Sequence, residues 1–326
     1  MHKAGIAIYN FGHDYKHELE QLKVLGIDAE YIPLEGTNEA KVIGAALKGC
    51  DFVLAGHELW SDEAFEAVGP QLKLVARLGV GVDRVDIAAA TRRGVAICNA
   101  PGGNACSVAQ HTLALMMSLL MKITRYDRLI RNGMPYKRTM TCDLIGKTIG
   151  LVGFGRISAQ LAKLLSGFGC TILAYDVCKN HEIAAPLGVQ FVELDELLAV
   201  SDCVSLHLPL TESTFGMANL QFFKRMKRGA FFVNSARSKI VHEPDLIYAL
   251  KTGLIAGAGL DVYEEPLAEN GLLLLDNVII TPYVAFASEL GVKRTSDMAI
   301  DCIRSYLQGK PPENLLNPDY IGYVVR

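Results

Sequence analysis

Short apolar runs alternate with amphipathic segments along residues 1 to 98. The runs AGIAIY, AEYIP, DFVLAG, KLVAR and VAICN predict five buried strands. Between them, apolar residues recur every three to four positions, which predicts helices at HELEQLKVLG, NEAKVIGAALKG, SDEAFEAVG and VDIAAATRRG. Each helical pattern ends at a glycine, the residue that a left-handed helix cap favours. The pattern predicts an α/β unit with a parallel sheet.

A second series of elements begins at Ser107 with one long helical stretch, SVAQHTLALMMSLLMKITRYDRLIRNG. From Lys147 seven further strand-like runs follow: TIGLV, TILAYD, GVQFV, CVSLH, GAFFVN, AGAGLDV and NVIITP. This series predicts a complete Rossmann domain. After Pro282 a single helical run leads to a Pro-rich tail. We expect this last helix to pack on the first unit, and the active site to lie in the cleft between the two domains.

A glycine-rich turn directly follows the strand TIGLV. Gly153 permits a tight strand-to-helix turn, and Gly155 leaves room for the backbone to approach a pyrophosphate at a helix N-terminus. Ser158 stands where a third glycine is usual, but it is small enough for close packing of helix and strand. The strand before the turn and the amphipathic helix after it therefore predict a dinucleotide site.

The acidic residue at the end of the next strand indicates which dinucleotide binds. Asp176 can accept hydrogen bonds from the adenosine ribose and repels a 2′-phosphate, so NAD is the predicted cofactor. Lys179 lies close enough in sequence to weaken this preference. The alternative is that Asp176 only caps the following turn.

Composition narrows the class of protein. The chain has 326 residues, which suits two domains, with 50% hydrophobic residues, 21% charged residues and a net charge of -3. These values give no electrostatic reason to expect nucleic acid or membrane binding. The eight cysteines show no CxxC pair, and the N-terminus shows no signal-peptide core, so we expect a cytoplasmic protein. We expect no metal site.

Seven ordered segments resemble the D-2-hydroxyacid dehydrogenase family, which includes D-lactate, glycerate and 3-phosphoglycerate dehydrogenases. They are LKLVARLGVGVDRVDI, NAPGGNACSVAQHTLAL, GKTIGLVGFGRI, VSLHLPLTEST, MKRGAFFVNSARSKIVHEPDL, IAGAGLDVYEEPL and DNVIITPYVAFAS. The resemblance implies an α/β fold in which an NAD-binding Rossmann domain, residues 99–287, is inserted in a flavodoxin-like substrate-binding domain, residues 1–98 and 288–326. It also implies a 2-keto or 2-hydroxy acid substrate.

The resemblance assigns roles to substrate-binding residues. Arg237, in NSAR, matches the family arginine, whose guanidinium can fork onto the substrate carboxylate and polarise the keto oxygen. The backbone N–H groups of Val80 and Gly81 are expected to bind the same carboxylate, although the glycines there could serve turn geometry alone. His57, in AGHELW, is expected to face the substrate. Because that loop lacks an arginine, a small unphosphorylated keto acid is favoured.

The resemblance also implies a set of cofactor contacts. Asp261 resembles the family acid that faces the nicotinamide carboxamide. The other expected contacts with NAD are Gly153, Gly155, Arg156, Ile157, Asp176, His207, Pro209, Ser235 and Ala236.

The catalytic pair departs from the family pattern. The family places His after Thr-Pro, whereas this chain has Tyr283, and a phenol is a proton donor rather than a base near neutral pH. The glutamate that supports the donor is expected at Glu265, with Glu264 as the alternative, because DVYEEP is one residue shorter than the family motif. The alternative is that Tyr283 only fills this position and that the protein has lost catalysis.

Three hypotheses follow for the whole protein. The first is an NAD-dependent reductase of 2-keto acids with Tyr283 as the donor. The alternatives are an NAD-binding regulatory or scaffold protein with a disabled site, and an enzyme of altered chemistry, for an amino or enolic substrate, that uses His57 or His207. A homodimer is expected through the helix of residues 107–132, because HTLALMMSLLM has more apolar residues than one core face needs.

Overall fold

The computed structural model describes residues 1–34, 36–264 and 271–321. The chain forms two compact units. One comprises Met1–Asn104 together with the chain from Ala287 onward, and the other comprises Ala105–Phe286. The second unit is therefore an insertion in the first, and the predicted fold class is confirmed.

The first unit is built on a five-stranded parallel sheet in the order β2-β1-β3-β4-β5, which is the flavodoxin-like order. Its strands are β1 His2–Ala7, β2 Ile27–Tyr31, β3 Phe52–Ala55, β4 Leu74–Arg77 and β5 Ala96–Cys98. Its helices are α1 Lys16–Val24, α2 Ala40–Leu47, α3 Asp62–Val68, α4 Ile87–Arg92 and α12 Glu289–Leu307. The last helix, α12, packs on β3, β4 and α1.

The second unit is built on a seven-stranded parallel sheet in the order β12-β11-β10-β9-β6-β7-β8. Its strands are β6 Thr148–Val152, β7 Thr171–Tyr175, β8 Val189–Phe191, β9 Cys203–Leu206, β10 Phe231–Asn234, β11 Gly257–Leu260 and β12 Val278–Ile280. Its helices are α5 Ala105–Leu120, α6 Ile123–Arg131, α7 Arg156–Leu165, α8 His181–Ala184, α9 Leu194–Val200, α10 Leu220–Arg225 and α11 Glu243–Lys251. The order reverses at β6, and ligands of such sheets bind beyond the carboxyl ends of the strands at that point.

Apolar side chains cover both faces of each sheet. The central strands β3, β4 and β9 are buried along their whole length, as parallel strands between two helical layers must be. This burial explains why their sequences read as continuous apolar runs rather than as an alternation of apolar and polar residues. All twelve strands that the apolar runs predict are present.

The long helix predicted from Ser107 is wrong in one respect, because the structure breaks it in two. α5 ends at Leu120 and α6 begins at Ile123, and their axes differ by 65°. Lys122 has φ 55°, in the left-handed region, and its Nζ donates to Thr139 Oγ1 at 2.9 Å and to the Met140 carbonyl at 2.6 Å. These contacts tie the break to the segment after α6. No glycine or proline marks the break.

The apolar residues of α5 are also accounted for within the chain. Leu115, Met116, Leu119 and Leu120 are buried, because α5 packs on α7 and on strands β10 and β11. The expected exposed surplus on this helix is therefore absent, since two of its faces are covered. In the described ranges no single helix is long and apolar enough to cross a membrane, and only the bent pair α5 and α6 meets that test by length and composition.

Candidate active site

The turn between β6 and α7 has the geometry that a dinucleotide requires. Gly153 has φ 95°, and a Cβ atom there would lie 2.8 Å from the His207 carbonyl oxygen, so only glycine fits. A Cβ at Gly155, the cap of α7, would meet no atom within 4 Å. The buried Ser158 hydroxyl donates to the Gly153 carbonyl at 2.6 Å and fixes the turn. This cradle fits a pyrophosphate at the N-terminus of α7.

Asp176 stands just beyond β7, where the adenosine ribose is expected. Its Oδ2 accepts from Phe154 N–H at 2.6 Å, and its Oδ1 accepts from Cys178 N–H at 2.8 Å. The carboxylate therefore both braces the glycine-rich turn and caps the next one, as the alternative interpretation expected. Lys179 is directed to Glu193, with Nζ 3.0 Å from Oε1, so its charge is already paired.

The arginine in NSAR is held by the strand that precedes it. Asn234, which ends β10 and is fully buried, accepts from Ala236 N–H at 2.9 Å and donates to the Arg237 carbonyl at 2.9 Å. Arg237 is partly exposed, and one of its Nη atoms donates to the Ala236 carbonyl at 2.8 Å. Ser235 Oγ lies 2.8 Å from Thr112 Oγ1 of α5. The turn after β10 thus fixes the backbone position from which the Arg237 side chain extends.

Asp261 directly follows β11, and its carboxylate holds the turn that follows the neighbouring strand, β12. Its carboxylate is 1% exposed, and it accepts from the Thr281 hydroxyl at 2.6 Å, from Val284 N–H at 3.0 Å and from Ala285 N–H at 2.9 Å. His111 Nε2 lies 3.0 Å from Thr281 Oγ1. Because the threonine hydroxyl donates to Asp261, the His111 ring donates to the threonine oxygen.

Tyr283 lies in this same turn, and its backbone is hydrogen-bonded to the backbone of Asp261. Its N–H donates to the carbonyls of Asp261 and Thr281, at 3.0 Å each. It has φ 54°, a conformation that is costly for a bulky residue and that occurs mostly where surroundings enforce it. Its ring packs on Phe286, with the ring centroids 5.4 Å apart. The structure therefore holds a phenol at this position in a fixed backbone.

Two glutamates are expected candidates for supporting the donor, and Glu264 is the one within the described part of the chain. Glu265 lies outside the described residues. The backbone N–H of Glu264 donates to Glu243 Oε1, and Glu243 is 4% exposed. The role of either glutamate stays a prediction.

His207 follows β9 and lies against the glycine-rich turn. Its backbone N–H donates to the Val152 carbonyl at 2.8 Å, and its Nε2 atom is buried with no hydrogen-bond partner among the residues that the structure describes. Burial lowers the pKa of His207 to about 4. The ring is therefore neutral near pH 7, which disfavours His207 as a substitute acid.

The remaining expected cofactor contacts lie in the same unit. Arg156 and Ile157 form the first turn of α7, Ala236 is buried after β10, and Pro209 is exposed two residues after His207.

The predicted carboxylate loop of the first unit follows β4. The Gly79 carbonyl accepts from Ala100 N–H at 2.9 Å, and the Val80 carbonyl accepts from Asn99 Nδ2 at 2.9 Å. Among the described residues, no hydrogen bond uses the N–H groups of Val80 or Gly81. The loop is thus fixed through its carbonyls while two donors remain for a ligand.

His57 lies in the loop after β3 and contacts a residue that the sequence analysis missed. Arg77 Nη2 donates to His57 Nδ1 at 3.2 Å, and Arg84 Nε donates to the His57 carbonyl at 2.8 Å. A guanidinium can only donate, so His57 Nδ1 is an acceptor and is unprotonated. An arginine therefore does reach the AGHELW loop, but from the adjacent strand.

Other missed residues are His111, Thr112 and Asn234. Each is a polar residue within an apolar stretch, at HTLAL or at the end of FFVN. That contrast was the available signal, since a buried polar group needs a partner.

Comparison with known proteins agrees with this geometry. Residues 113–285 match the family model described as the D-isomer specific 2-hydroxyacid dehydrogenase, NAD binding domain. The chain is 39% identical over 298 residues to a glyoxylate reductase of Korarchaeum cryptofilum, covering 88% of this chain and 89% of that protein. It is 41% identical over 249 residues to a D-3-phosphoglycerate dehydrogenase of Archaeoglobus fulgidus, covering 76% of this chain but 47% of that longer protein.

A solved structure extends the comparison to the whole fold. An acyclic imino acid reductase in complex with NADPH and D-Arg superposes with a TM-score of 0.84 at 25% identity, covering 97% of this chain and 100% of that chain. The cradle after β6 fits the NAD that the family model implies. The chain therefore belongs to the D-isomer specific 2-hydroxyacid dehydrogenase family, the NAD-dependent enzymes that interconvert 2-keto acids and 2-hydroxy acids.

Proposed function

We propose that this protein reduces a small 2-keto acid to a D-2-hydroxy acid, with Arg237 as the carboxylate anchor and Tyr283 as the proton donor. The observation that carries the proposal is the shared edge of the seven-stranded sheet. The turns that bear Arg237, Asp261 and Tyr283 follow β10, β11 and β12, and these strands are neighbours. NADH would supply a hydride to the keto carbon.

The role of Arg237 follows from charge and from restraint of its backbone. A guanidinium offers two parallel donors to a carboxylate and can also polarise a keto oxygen, which a lysine cannot do with the same geometry. The side chain of Asn234 is hydrogen-bonded to the backbone of Ala236 and Arg237, so the Arg237 side chain extends from a fixed backbone position. Orientation of this kind lowers the entropic cost of binding.

The role of Tyr283 follows from the chemistry of reduction. As the keto carbon becomes tetrahedral, its oxygen gains negative charge and must receive a proton. A phenol carries a proton across the neutral range, so Tyr283 can donate it during reduction. The reverse reaction needs a base, which an ordinary phenol is not near pH 7. The proposed enzyme is therefore biased towards reduction.

A screen of NADH oxidation tests the proposal. The purified protein should oxidise NADH with at least one of glyoxylate, pyruvate, hydroxypyruvate or 2-ketobutanoate. Chiral analysis of the product from any of the last three acids should give the D-hydroxy acid, since glycolate, the product from glyoxylate, is achiral. An L product would contradict the assignment. NADH binding with no turnover of any keto or imino acid would favour the NAD-binding regulatory protein instead.

A second candidate is reduction of a 2-imino acid, and two observations favour it. The donor position holds Tyr283 rather than a histidine, and a structure of the same fold belongs to an acyclic imino acid reductase. An iminium ion already carries its proton. Hydride addition to its carbon gives a neutral amine, which takes a further proton from water, so no protein acid is required.

Ammonium dependence separates the two candidates. If the substrate is an imine, NADH oxidation with a 2-keto acid should rise with ammonium concentration and yield an amino acid. If the substrate is the keto acid, the rate should not depend on ammonium, and the product should be the hydroxy acid.

A further inference from the structure

A cavity of about 410 Å³ lies where strands β10, β11 and β12 of the seven-stranded sheet begin. Phe231 and Gly257 are the first residues of β10 and β11, and Asn277 directly precedes β12. The turn of Arg237 lies at the other end of these strands, since Asn234 is three residues, about 10 Å, further along β10 than Phe231. The cavity has the size of a small-molecule site, roughly 300–1,000 Å³.

The floor of this cavity is apolar. A Cβ atom at Gly257 would lie 3.4 Å from both Leu119 Cδ2 and Phe231 Cδ1, so side chains of α5 and β10 meet there. Ala256 and Ile279 also line the cavity. Phe231 and Ile279 are half-buried, so part of this apolar surface is open to solvent. An apolar group placed on the floor would remove that surface from water, which favours binding.

Two cations stand at the rim of the cavity, Lys122 and Arg125. Lys122 Nζ donates to Thr139 Oγ1 and to the Met140 carbonyl, which are both neutral and leave its charge uncompensated. Its φ of 55° is a strained conformation that recurs at ligand sites. Arg125 is exposed in the first turn of α6. Across residues 1–34, 36–264 and 271–321, no carboxylate lies within ion-pair distance of either cation.

The acidic residue of the rim, Asp276, is already paired. Its Oδ1 accepts from Arg128 Nη2 of α6 at 2.5 Å, so the pair adds no net charge. Cys142 contributes an exposed thiol. The rim is therefore positive overall, and a positive rim around a concave surface attracts an anion.

We propose that this cavity is a second ligand site, which binds a small organic anion with an apolar body and a carboxylate. The apolar body would cover Leu119, Phe231 and Ile279, and the carboxylate would meet Lys122 and Arg125. Charge-assisted hydrogen bonds from a lysine and an arginine suit a carboxylate. The proposal goes beyond the proposed function, because such a ligand can bind whether or not a keto acid is reduced.

Cys142 gives a readout of occupancy at the cavity itself. Its thiol is exposed on the rim, while Cys178, the other exposed thiol, lies beyond β7 near the expected ribose position. The probe is hydrocinnamate, and its neutral counterpart is hydrocinnamamide. Alkylation of each cysteine by iodoacetamide is followed by peptide mass spectrometry.

The probe should protect Cys142 selectively. At about ten times its dissociation constant, hydrocinnamate should slow Cys142 alkylation about tenfold by mass action. The rate at Cys178 should not change with the probe. NADH, which is expected at the carboxyl ends of the strands, should leave the rate at Cys142 unchanged.

Arg125→Gln tests the charge of the rim. Because it removes one cation, the hydrocinnamate concentration for half-protection should rise about fivefold, and hydrocinnamamide should need a similar excess with the wild type. Arg131→Gln is the matched control, since Arg131 lies on the same helix but pairs with Asp127 and does not line the cavity. Its half-protection concentration should equal that of the wild type.

Ser118→Phe tests the cavity itself. Ser118 lines the cavity from α5, so a phenyl ring there would fill the space and should abolish protection of Cys142. The thermal midpoint and the NADH affinity of each variant show that it is folded.

Three outcomes would overturn the proposal. The first is a rate at Cys142 that the probe does not slow in the wild type, and the second is equal protection by the acid and the amide. The third is a wild-type Cys142 that is unreactive without the probe, because the cavity is then already covered. If Met140→Asp restores that reaction, a second copy of the chain covers it. None of these results depends on NADH oxidation, so failure of the proposed function would be seen separately.

Discussion

At the scale of single residues, the proposed chemistry depends on side chains whose positions are fixed by buried polar groups. Asn234 holds the turn that bears Arg237, and Asp261 holds the turn that bears Tyr283. Both supporting residues are almost completely buried, and both use their polar atoms on backbone groups. Such networks keep a site rigid, because a small displacement would leave a buried polar group unpaired.

The role of Arg237 predicts a selective defect in Arg237→Lys. The lysine keeps the charge but loses the two-pronged contact, so kcat/KM should fall roughly a hundredfold, about 3 kcal/mol. NADH affinity, measured by fluorescence titration, should stay close to that of the wild type. Arg225→Lys, on the surface where Arg225 pairs with Asp195, is the control. Wild-type turnover in Arg237→Lys would show that the role is wrongly assigned.

Tyr283→Phe separates proton donation from packing. The variant keeps the ring that contacts Phe286 but lacks the hydroxyl, so keto acid reduction should drop sharply while imine reduction persists. In the wild type, reduction should show no fall near pH 7, where a catalytic imidazole would lose its proton. Tyr248→Phe, exposed on α11, is the matched control. Equal keto acid activity in Tyr283→Phe would mean that the proton comes from another group or from water.

Burial of Glu58 also predicts how stability depends on pH. Because its pKa rises from 4.5 to about 7 on folding, the folded protein holds a proton that the unfolded chain releases in between. Stability should therefore fall as pH rises from 4.5 to 7, by at most about 3 kcal/mol. Glu58→Gln cannot ionise, so its thermal midpoint should exceed that of the wild type at pH 8 and approach it at pH 5. A variant less stable at pH 8 would contradict this account.

At the scale of elements, the turn from β6 to α7 and the end of β7 form one cofactor-binding unit. Gly153 and Ser158 set the turn, while Asp176 links it to the neighbouring strand through Phe154 N–H. The same carboxylate that should meet the ribose thus also stabilises the pyrophosphate cradle. Changes at Asp176 are expected to affect affinity as well as selectivity.

This arrangement predicts a preference for NADH over NADPH. Repulsion between Asp176 and a 2′-phosphate should favour NADH by about 1 kcal/mol or more, which corresponds to fivefold or greater. Because Lys179 is paired with Glu193, Lys179→Ala should keep the preference, whereas Asp176→Ser should narrow it. Equal or tighter binding of NADPH by the wild type, in a fluorescence titration, would refute the prediction.

At the scale of the whole molecule, the apolar surface that the sequence suggested at residues 107–132 is exposed only in its second part, on α6. α5 is largely covered by its own chain. One run of exposed apolar side chains lies on α6 and on the irregular segment that follows it, while others, such as Val177, Phe215 and Leu274, lie elsewhere in the unit. The run comprises Ile123, Ile130, Met134, Tyr136, Met140 and Ile145. Apolar groups clustered in this way are typical of surfaces that bind another protein.

Homodimerisation therefore remains a prediction, but with this surface as its basis. Light scattering at micromolar concentration should return about twice the chain mass of 35.5 kDa. Met140→Asp, at a side chain that is 92% exposed, should shift the protein towards the monomer without lowering its thermal midpoint. A mass of 35.5 kDa for the wild type would contradict the prediction.

The sequence by itself determined the twelve strands, the two parallel sheets and the dinucleotide turn. Buried parallel strands must be apolar along their length, and a turn at φ 95° must carry glycine. Both features can therefore be predicted from the pattern of neighbouring residues. The resemblance to a known family then supplied expected roles for Arg237 and Tyr283, and those roles still await experiment.

Only the tertiary structure decided the partners of the polar side chains and the path of the long helix. Thr281 meets His111, 170 positions away, and Arg77 meets His57 because β3 and β4 are neighbours. Periodicity indicates which residues are helical but not where a helix changes direction. The break at Lys122 could therefore not be predicted from the sequence. Local patterns record burial and backbone conformation, whereas contacts between distant residues depend on how strands and helices pack.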